Sequence, residues 1–189
     1  RPAAGQWNPF VAGWQDLVVG GLSVRVGLSA PTFAAWMGGI YRYYFSPTII
    51  EEVHFEWHIK HDYMPGTDVY MHVHWAPSTT NNGVCRWGFE YSYARGYSVE
   101  TFPSPTTVYV EQAGSGTTDM HQIAETTAIA FVNPSLETDG IIACRLFRDA
   151  THANDTFTGN AWLVTVDLHY QTDRTCTTAR NRGAGWDPA

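Results

Sequence analysis

Three histidines lie on two neighbouring segments in which apolar and polar residues alternate. His54 points to the polar side of residues 52–60, and His72 and His74 point to the polar side of residues 68–75. Imidazole nitrogens and carboxylates are ligands that bind divalent transition metals. If the two segments pair as a β-hairpin, His54 lies opposite His74. The pattern therefore raises the possibility of a metal site formed by His54, His72 and His74.

The surrounding sequence weakens this metal hypothesis. Gly66, followed by His72 and His74, matches the opening of the cupin metal motif, but the glutamate that completes the motif after the second histidine is missing. The alternative is that His54, His58, His72 and His74 face solvent or a neighbouring subunit, where clustered imidazoles would make assembly sensitive to pH. The sequence favours this interface role, and we expect no bound metal or cofactor.

Patterns for covalent catalysis are also missing. The chain has no Gly-x-Ser-x-Gly elbow, and Cys85 and Cys144 lie in predicted strands as core thiols. Asp167 and His169 point to the same side of one predicted strand, but no nucleophile can be assigned to them, so we interpret them as a surface ion pair. We therefore predict no catalytic residues and no enzymatic activity.

Composition excludes several other classes of protein. Among 189 residues, 44% are hydrophobic and 15% charged, which is incompatible with intrinsic disorder. The net charge is −7 without a basic cluster, so nucleic acid is not an expected partner. No apolar run approaches the ~18 residues that cross a bilayer. Three cysteines without a disulfide or zinc spacing, and a first segment without the apolar core of a secretory signal, lead us to expect synthesis in the cytoplasm.

The middle of the chain has the period-2 pattern of β-strands. Short segments rich in Val, Ile, Thr and aromatic residues are separated by Gly, Pro and Asn. Strands are predicted over residues 17–26, 52–60, 68–75, 84–93, 106–112, 121–131, 140–147 and 161–171. Residues 34–37 permit a helical turn, and residues 40–45 resemble a further strand. We predict an all-β protein, with an antiparallel, jelly-roll-like β-sandwich over residues 17–173.

Both ends of the chain differ from this middle part. Residues 1–16 and 174–189 are rich in Gly, Pro, Ala, Arg and Asn without strand periodicity. They carry Trp7, Trp14 and Trp186, and tryptophan is costly to leave in water. We therefore predict irregular N- and C-terminal arms whose tryptophans dock on a neighbouring chain or on another face of the domain.

Four aromatic residues lie in or near predicted loops: Tyr63, Tyr97, Phe102 and Phe157. Such side chains can form a platform on which sugar rings stack, or they can be buried between subunits. Since aromatics are enriched in contacts between chains, the interface is the preferred interpretation. A carbohydrate-binding platform remains the alternative.

Several sequence blocks, taken together, resemble a family of small proteins encoded among the structural genes of tailed bacteriophages. The blocks are His61–Asn81 (HDYxxGTDVYxHVHWxPSxxN), Arg86–Tyr91 (RWGFEY), His121–Ala124 (HQIA), Arg145–Asp149 (RLxRD), Asp155–Ala161 (DTFTGNA) and Val166–Asp173 (VDLHYQxD). The resemblance covers about residues 50 to 173. It implies a virion component, a β-sandwich that assembles as a trimer on the head surface or in the tail apparatus, and it transfers no catalytic residues.

The resemblance leads to one main functional expectation and two alternatives. The main expectation is a non-enzymatic, homotrimeric decoration (cement) protein that contacts the major capsid protein or tail proteins in the virion. The first alternative is a carbohydrate- or receptor-binding β-sandwich associated with a tail or fibre. The second is a cupin-like metal-binding protein that uses His54, His72 and His74.

Overall fold

The structure, a computed structural model, describes residues 13–131 and 135–172 and confirms the predicted all-β class. Within these ranges the chain forms eleven strands and no helix, so no helix that could span a membrane is present there. The strands are β1 (Gly13–Gly20), β2 (Arg25–Val26), β3 (Thr32–Met37), β4 (Ile40–Phe45), β5 (Glu51–His58), β6 (Tyr70–Pro77), β7 (Val84–Ala94), β8 (Thr106–Ala113), β9 (Gln122–Glu125), β10 (Ile141–Arg148) and β11 (Ala161–Thr172).

The strands form two antiparallel sheets, as expected for a β-sandwich. The first sheet has six strands in the order β3-β4-β11-β6-β9, with β1 also paired to β11. Strand β4 pairs with the start of β11 and β1 with its remainder, so both lie along the same edge of β11. The second sheet has five strands in the order β2-β5-β10-β7-β8.

The inward faces of the two sheets form one hydrophobic core. Val53 and Trp57 of the five-stranded sheet are buried, as are Val73 and Trp75 of the six-stranded sheet. These side chains occupy alternate positions, so the polar residues between them lie on the outer faces. The alternation predicted for these strands is confirmed.

The predicted hairpin between the first two histidine segments is wrong. Strand β5 belongs to the five-stranded sheet and β6 to the six-stranded sheet. Residues 59–69 join them and contact both sheets: Ile59 donates a backbone hydrogen bond to Gly140, and Met64 donates one to Gln171. The connection is longer than the two to five residues typical of hairpin loops. It therefore carries the chain from one layer of the sandwich to the other.

Three further predictions are corrected. Residues 13–16, assigned to the N-terminal arm, form the first half of β1, whose exposure along the sheet edge weakens its periodicity. Residues 34–37 belong to strand β3 instead of a helical turn, because they pair with β4. The strand predicted over residues 121–131 is limited to β9 and an isolated bridge at Ile129.

A β-bulge changes the inward face of β11. Simple alternation over the strand predicted at residues 161–171 places Trp162 and Val164 inward with Val166, but Leu163 is fully buried and Trp162 lies against Tyr44, with ring centroids 5.0 Å apart. The pairing register with β6 shifts between Leu163 and Thr165. An extra residue at a bulge exchanges the two faces of a strand, so the expected phase holds only after it.

Candidate functional site

Four histidines and three carboxylates converge on the outer face of the six-stranded sheet. We call this the histidine–carboxylate cluster; its members are Asp16, His72, His74, His121, Glu125, Asp167 and His169. Asp16 comes from β1, Asp167 and His169 from β11, His72 and His74 from β6, and Glu125 from β9. His121 immediately precedes β9. Four neighbouring strands therefore contribute to one site.

Strand register explains this convergence. His72 lies opposite Asp167 on one side and opposite Glu125 on the other, while Asp16 lies opposite His169. Residues that face each other in an antiparallel pair point to the same side of the sheet. The period of two then places His74 and His169 on this same face.

The centre of the cluster is formed by His72, His74 and Asp167. The Asp167 Oδ2 atom lies 2.8 Å from His74 Nε2 and 3.6 Å from His72 Nε2. The His72 and Asp167 side chains are only 5% and 6% exposed, and that of His74 is 14% exposed. The three groups are therefore largely withdrawn from bulk water, and the carboxylate lies between the two imidazoles.

A more exposed rim surrounds this centre. His169 Nε2 lies 3.0 Å from Asp16 Oδ1, and His169 Nδ1 lies 3.2 Å from Glu125 Oε2. The same two carboxylates reach toward His72, with Asp16 Oδ1 3.6 Å from Nε2 and Glu125 Oε2 3.8 Å from Nδ1. The His72 and His169 rings stack at a centroid distance of 4.9 Å. The rim thus encloses His72 on its solvent side.

The surroundings shift two protonation equilibria in opposite senses. Burial lowers the pKa of His72, and the adjacent imidazoles of His74 and His169 lower it further, although the carboxylates oppose this effect. Burial alone would raise the pKa of Asp167, but its contact with His74 and the nearby His72 outweigh burial and hold the pKa below its usual range. Both effects favour a neutral His72 beside an ionised Asp167.

Two buried ring nitrogens lack a hydrogen-bond partner. The Nε2 atoms of His72 and His74 are buried, and no described acceptor or donor meets them with hydrogen-bond geometry. On the opposite side of its ring, His74 Nδ1 is joined to His121 Nε2 by a hydrogen bond of 2.7 Å. Buried polar atoms are normally satisfied in folded proteins, so an unsatisfied pair that faces one carboxylate marks this position as unusual.

The structure divides the histidines that the sequence grouped together. His54 and His58 lie on the outer face of the five-stranded sheet, near Glu52 and Asp139 respectively, and they are not part of the cluster. The predicted grouping of His54 with His72 and His74 is therefore corrected, because His54 lies on the other sheet. His72 is buried within a single chain, which also argues against its predicted role in a subunit contact.

The predicted sugar-stacking platform is corrected as well. Tyr63 and Phe157 are 4% and 1% exposed, because both pack into the hydrophobic core. Tyr97 and Phe102 are 47% and 48% exposed. Two of the four rings therefore offer no face on which a sugar could stack.

Sequence reasoning missed Asp16 and the partnership of Asp167 with β6. Asp16 was missed because the residues around it lack strand periodicity. Asp167 was correctly placed on the same face as His169, but its ion-pair partners are His72 and His74. The alternation of β11 and β6 indicated that these side chains lie on outer faces. It did not indicate that the two strands pair with each other.

A second exposed feature is the β3–β4 hairpin, residues 32–45. Only its last two residues, Tyr44 and Phe45, pair with β11. Phe33 and Tyr41 are each about half exposed, and Phe33 contacts both Tyr41 and Tyr43. One face of this hairpin therefore presents a small aromatic surface to solvent.

Of the three tryptophans predicted to lie at an interface, Trp14 lies in the described part of the chain. Trp14 is 49% exposed and packs against Tyr70 and His169 at the edge of the cluster. Trp7 and Trp186 lie outside the described residues, as do residues 1–12 of the predicted N-terminal arm and the whole predicted C-terminal arm. The docking of the arms stays a prediction.

Comparison with known proteins identifies no family for the chain. No protein-family model matches the chain, and no curated protein matches it. Among solved structures, the chain is similar to the carbohydrate-binding module TmCBM61, solved in complex with β-1,4-galactotriose. The two share 16% sequence identity with a TM-score of 0.34, and the alignment covers 84% of this chain and 86% of the other.

Proposed function

We propose that the chain is a non-enzymatic structural subunit of a tailed-phage virion, a β-sandwich that assembles as a homotrimer and decorates the head. The sequence blocks that resemble phage structural proteins support the virion assignment. The observation that carries the assembly part is the aromatic surface of the β3–β4 hairpin. The partners expected from this proposal are further copies of the chain and the major capsid protein.

The hairpin has features of a segment that is completed by a neighbour. Phe33 and Tyr41 are each about half exposed, and their ring centroids lie 5.6 Å apart. A two-stranded hairpin has marginal stability in water unless one face packs against something. Its other face packs on the domain, where Trp36 donates a hydrogen bond of 2.7 Å to Asp119. The free aromatic face is therefore available for contact with a second chain.

Light scattering coupled to size-exclusion chromatography tests the assembly claim. We expect the wild-type chain to elute at three times its monomer mass of 21.1 kDa. The double variant Phe33→Ser/Tyr41→Ser should shift the population to the monomer mass while circular dichroism still reports a folded β-protein. Leu28→Ser is a matched control, because Leu28 is fully exposed but lies outside the hairpin. It should remain a trimer.

Two results would contradict the proposal in different ways. A wild-type chain that stays monomeric at all concentrations, or a double variant that remains trimeric, would overturn assembly through the hairpin. Mass spectrometry of purified particles of the encoding phage tests the virion claim separately. A trimer that is missing from the particles but binds glycans in solution would favour the receptor-binding alternative over the decoration role.

A further inference from the structure

We propose that His72, His74 and Asp167 bind one divalent first-row transition-metal ion on the outer face of the six-stranded sheet. This inference is independent of the virion proposal and rests on the geometry of the cluster. It differs from the site suggested by the sequence, because Asp167 replaces His54 as the third donor.

The donor atoms are close enough together to bind one shared metal ion. One nitrogen of each histidine and one oxygen of Asp167 all lie within 4.8 Å of one another. Two donors bound tetrahedrally at about 2.0 Å from zinc lie about 3.3 Å apart. Asp167 Oδ2 is 3.6 Å from His72 Nε2 and 2.8 Å from His74 Nε2, on either side of this value. Side-chain movements of less than about 1 Å would bring both pairs to metal-binding separation.

The buried Nε2 atoms of the two histidines also point to a bound ion. His72 is 4% exposed, and its buried Nε2 has no hydrogen-bond partner among the described residues although it faces the Asp167 carboxylate. His74 Nε2 is also buried without a contact of hydrogen-bond geometry, but it lies 2.8 Å from Asp167 Oδ2 and so already contacts the carboxylate. A bound cation would satisfy both lone pairs at once and would neutralise the carboxylate between them.

Neighbouring groups hold the donors in the required orientation. The hydrogen bond between His74 Nδ1 and His121 Nε2 fixes the His74 ring, and when His74 donates it, the lone pair of His74 Nε2 is left free for a metal. The Thr165 hydroxyl lies 3.1 Å from Asp167 Oδ1, which leaves Oδ2 directed to the imidazoles. Contacts of this kind are typical of the second layer around protein metal sites.

The donor types select the class of ion. Two imidazoles and one carboxylate suit Zn²⁺, Fe²⁺, Co²⁺ or Ni²⁺, whereas Mg²⁺ and Ca²⁺ are bound mainly by oxygen. Asp16, with Oδ1 3.6 Å from His72 Nε2, lies on the open side of the site. Its side chain is 43% exposed, so we expect it to modulate binding and not to define the site.

Zinc titration of the tag-free, full-length protein tests the inference. Isothermal calorimetry should show one Zn²⁺ bound per chain after treatment with a chelator. Loss of a residue that supports a metal ligand typically lowers metal affinity ~10- to 100-fold. His74→Gln and Asp167→Asn change the proposed ligands themselves, so each should lower the affinity for zinc by at least this factor. Asp16→Asn should have a smaller effect. These substitutions preserve hydrogen-bonding capacity, and circular dichroism of the metal-free variants verifies that they fold.

His54→Gln is the matched control, since the sequence grouped His54 with the other two histidines but the structure places it on the opposite sheet. It should bind zinc as the wild type does. The inference is overturned if the wild type binds no zinc, if His54→Gln loses binding as His74→Gln does, or if Asp16→Asn abolishes binding while Asp167→Asn retains it. Should one variant fail to fold, the visible spectrum of Co²⁺ added to the wild type tests the donor set. Imidazole and carboxylate donors give a spectrum distinct from that of hydrated Co²⁺, and a spectrum of hydrated Co²⁺ would overturn the inference.

Discussion

The two outer faces of the sandwich neutralise their carboxylates in different ways. On the five-stranded sheet, Arg145 contacts Glu52 and donates a 2.9 Å hydrogen bond to Glu90. Arg86 makes the equivalent contacts with Glu111 and Asp149. On the six-stranded sheet, in the part of the chain that the structure describes, the ion pairs of Asp16, Glu125 and Asp167 are all with histidine.

This difference separates a structural face from a binding face. A guanidinium stays protonated and has no lone pair for a metal, so carboxylates paired with arginine are already satisfied. A neutral imidazole can offer a lone pair, and a carboxylate between two imidazoles can share an ion with them. The same sandwich therefore carries one face on which arginine pairs with Glu52, Glu90, Glu111 and Asp149, although Asp139 there contacts His58, and one face whose charges can be completed by a cation.

The structural face also uses aromatic side chains to cover its sheet. Phe147 lies across Gly88, where a Cβ atom would come within 2.3 Å of the ring. Arg145 stacks on Phe147 at 4.3 Å from the ring centroid, and Arg86 stacks on Tyr109 at 4.0 Å. Such contacts fix the arginines in place and add to their charge pairing.

The largest expected effect comes from the most buried arginine of the five-stranded sheet. Arg148 is fully buried, contacts Asp155 at 2.7 Å and donates to the backbone carbonyl oxygens of Phe157 and Gly159. Arg148→Ala leaves the Asp155 carboxylate buried without its charge partner, so we expect a loss of about 3–5 kcal/mol in the free energy of unfolding. Urea denaturation followed by circular dichroism measures this loss.

Arg25→Ala provides the control for this prediction. Arg25 is exposed on the two-residue strand β2, so its replacement should change stability by no more than about 0.5 kcal/mol. Equal losses in the two variants would show that buried arginine pairing does not distinguish this sheet.

An intermediate effect is expected at Gly88. Gly88→Ala should destabilise the protein by about 1–3 kcal/mol, because the new methyl group overlaps Phe147 and displaces the ring that covers the sheet. Gly39→Ala is the control, since a Cβ atom there meets nothing within 4 Å. Differential scanning calorimetry compares the two. If both variants melt together, the Phe147 ring is not held against the sheet.

The smallest expected effect is on the pH dependence of the free energy of unfolding, through the Glu52–Arg145 pair of the structural face. Burial alone would raise the pKa of Glu52, but its hydrogen bond and charge interaction with Arg145 lower it below the usual 4.5. A carboxyl whose pKa is lower in the folded state stabilises the protein above the unfolded pKa, and this contribution disappears as the pH falls through the folded pKa. Stability should therefore decline below about pH 4.5 in part through Glu52.

Glu52→Gln should flatten this decline by less than about 1 kcal/mol, since the pair is partly exposed. Urea unfolding at a series of pH values gives the slope. Glu56→Gln changes a carboxylate on the same strand face and is the control for the loss of a carboxylate as such. A Glu52 variant with the wild-type slope would indicate that the ion pair does not contribute.

Local patterns predicted the strands well but not their partners. Alternation placed Val53, Trp57, Val73 and Trp75 in the core and put His72 and His74 together on an outer face. It could not show that β5 and β6 lie in opposite sheets, because two strands have the same alternation whether they pair in one sheet or lie in two different sheets. His54 was grouped wrongly for this reason.

The candidate site depends on contacts between segments that are far apart in sequence. Asp167 reaches His72 because β11 pairs with β6, and Asp16 reaches His169 because β1 pairs with β11. Neither pairing has a local signature. The sequence therefore indicated the type of chemistry through His72 and His74, but the carboxylate that completes the donor set required the structure.

In the proposed site the histidine face binds a metal ion and the arginine face does not. Anomalous diffraction at the zinc absorption edge, from crystals grown with one equivalent of Zn²⁺ per chain, tests this most directly. We expect one strong anomalous peak within about 2.2 Å of His72 Nε2, His74 Nε2 and an Asp167 oxygen. A peak at His54 or His58 on the other sheet, or no peak on either face, would contradict it.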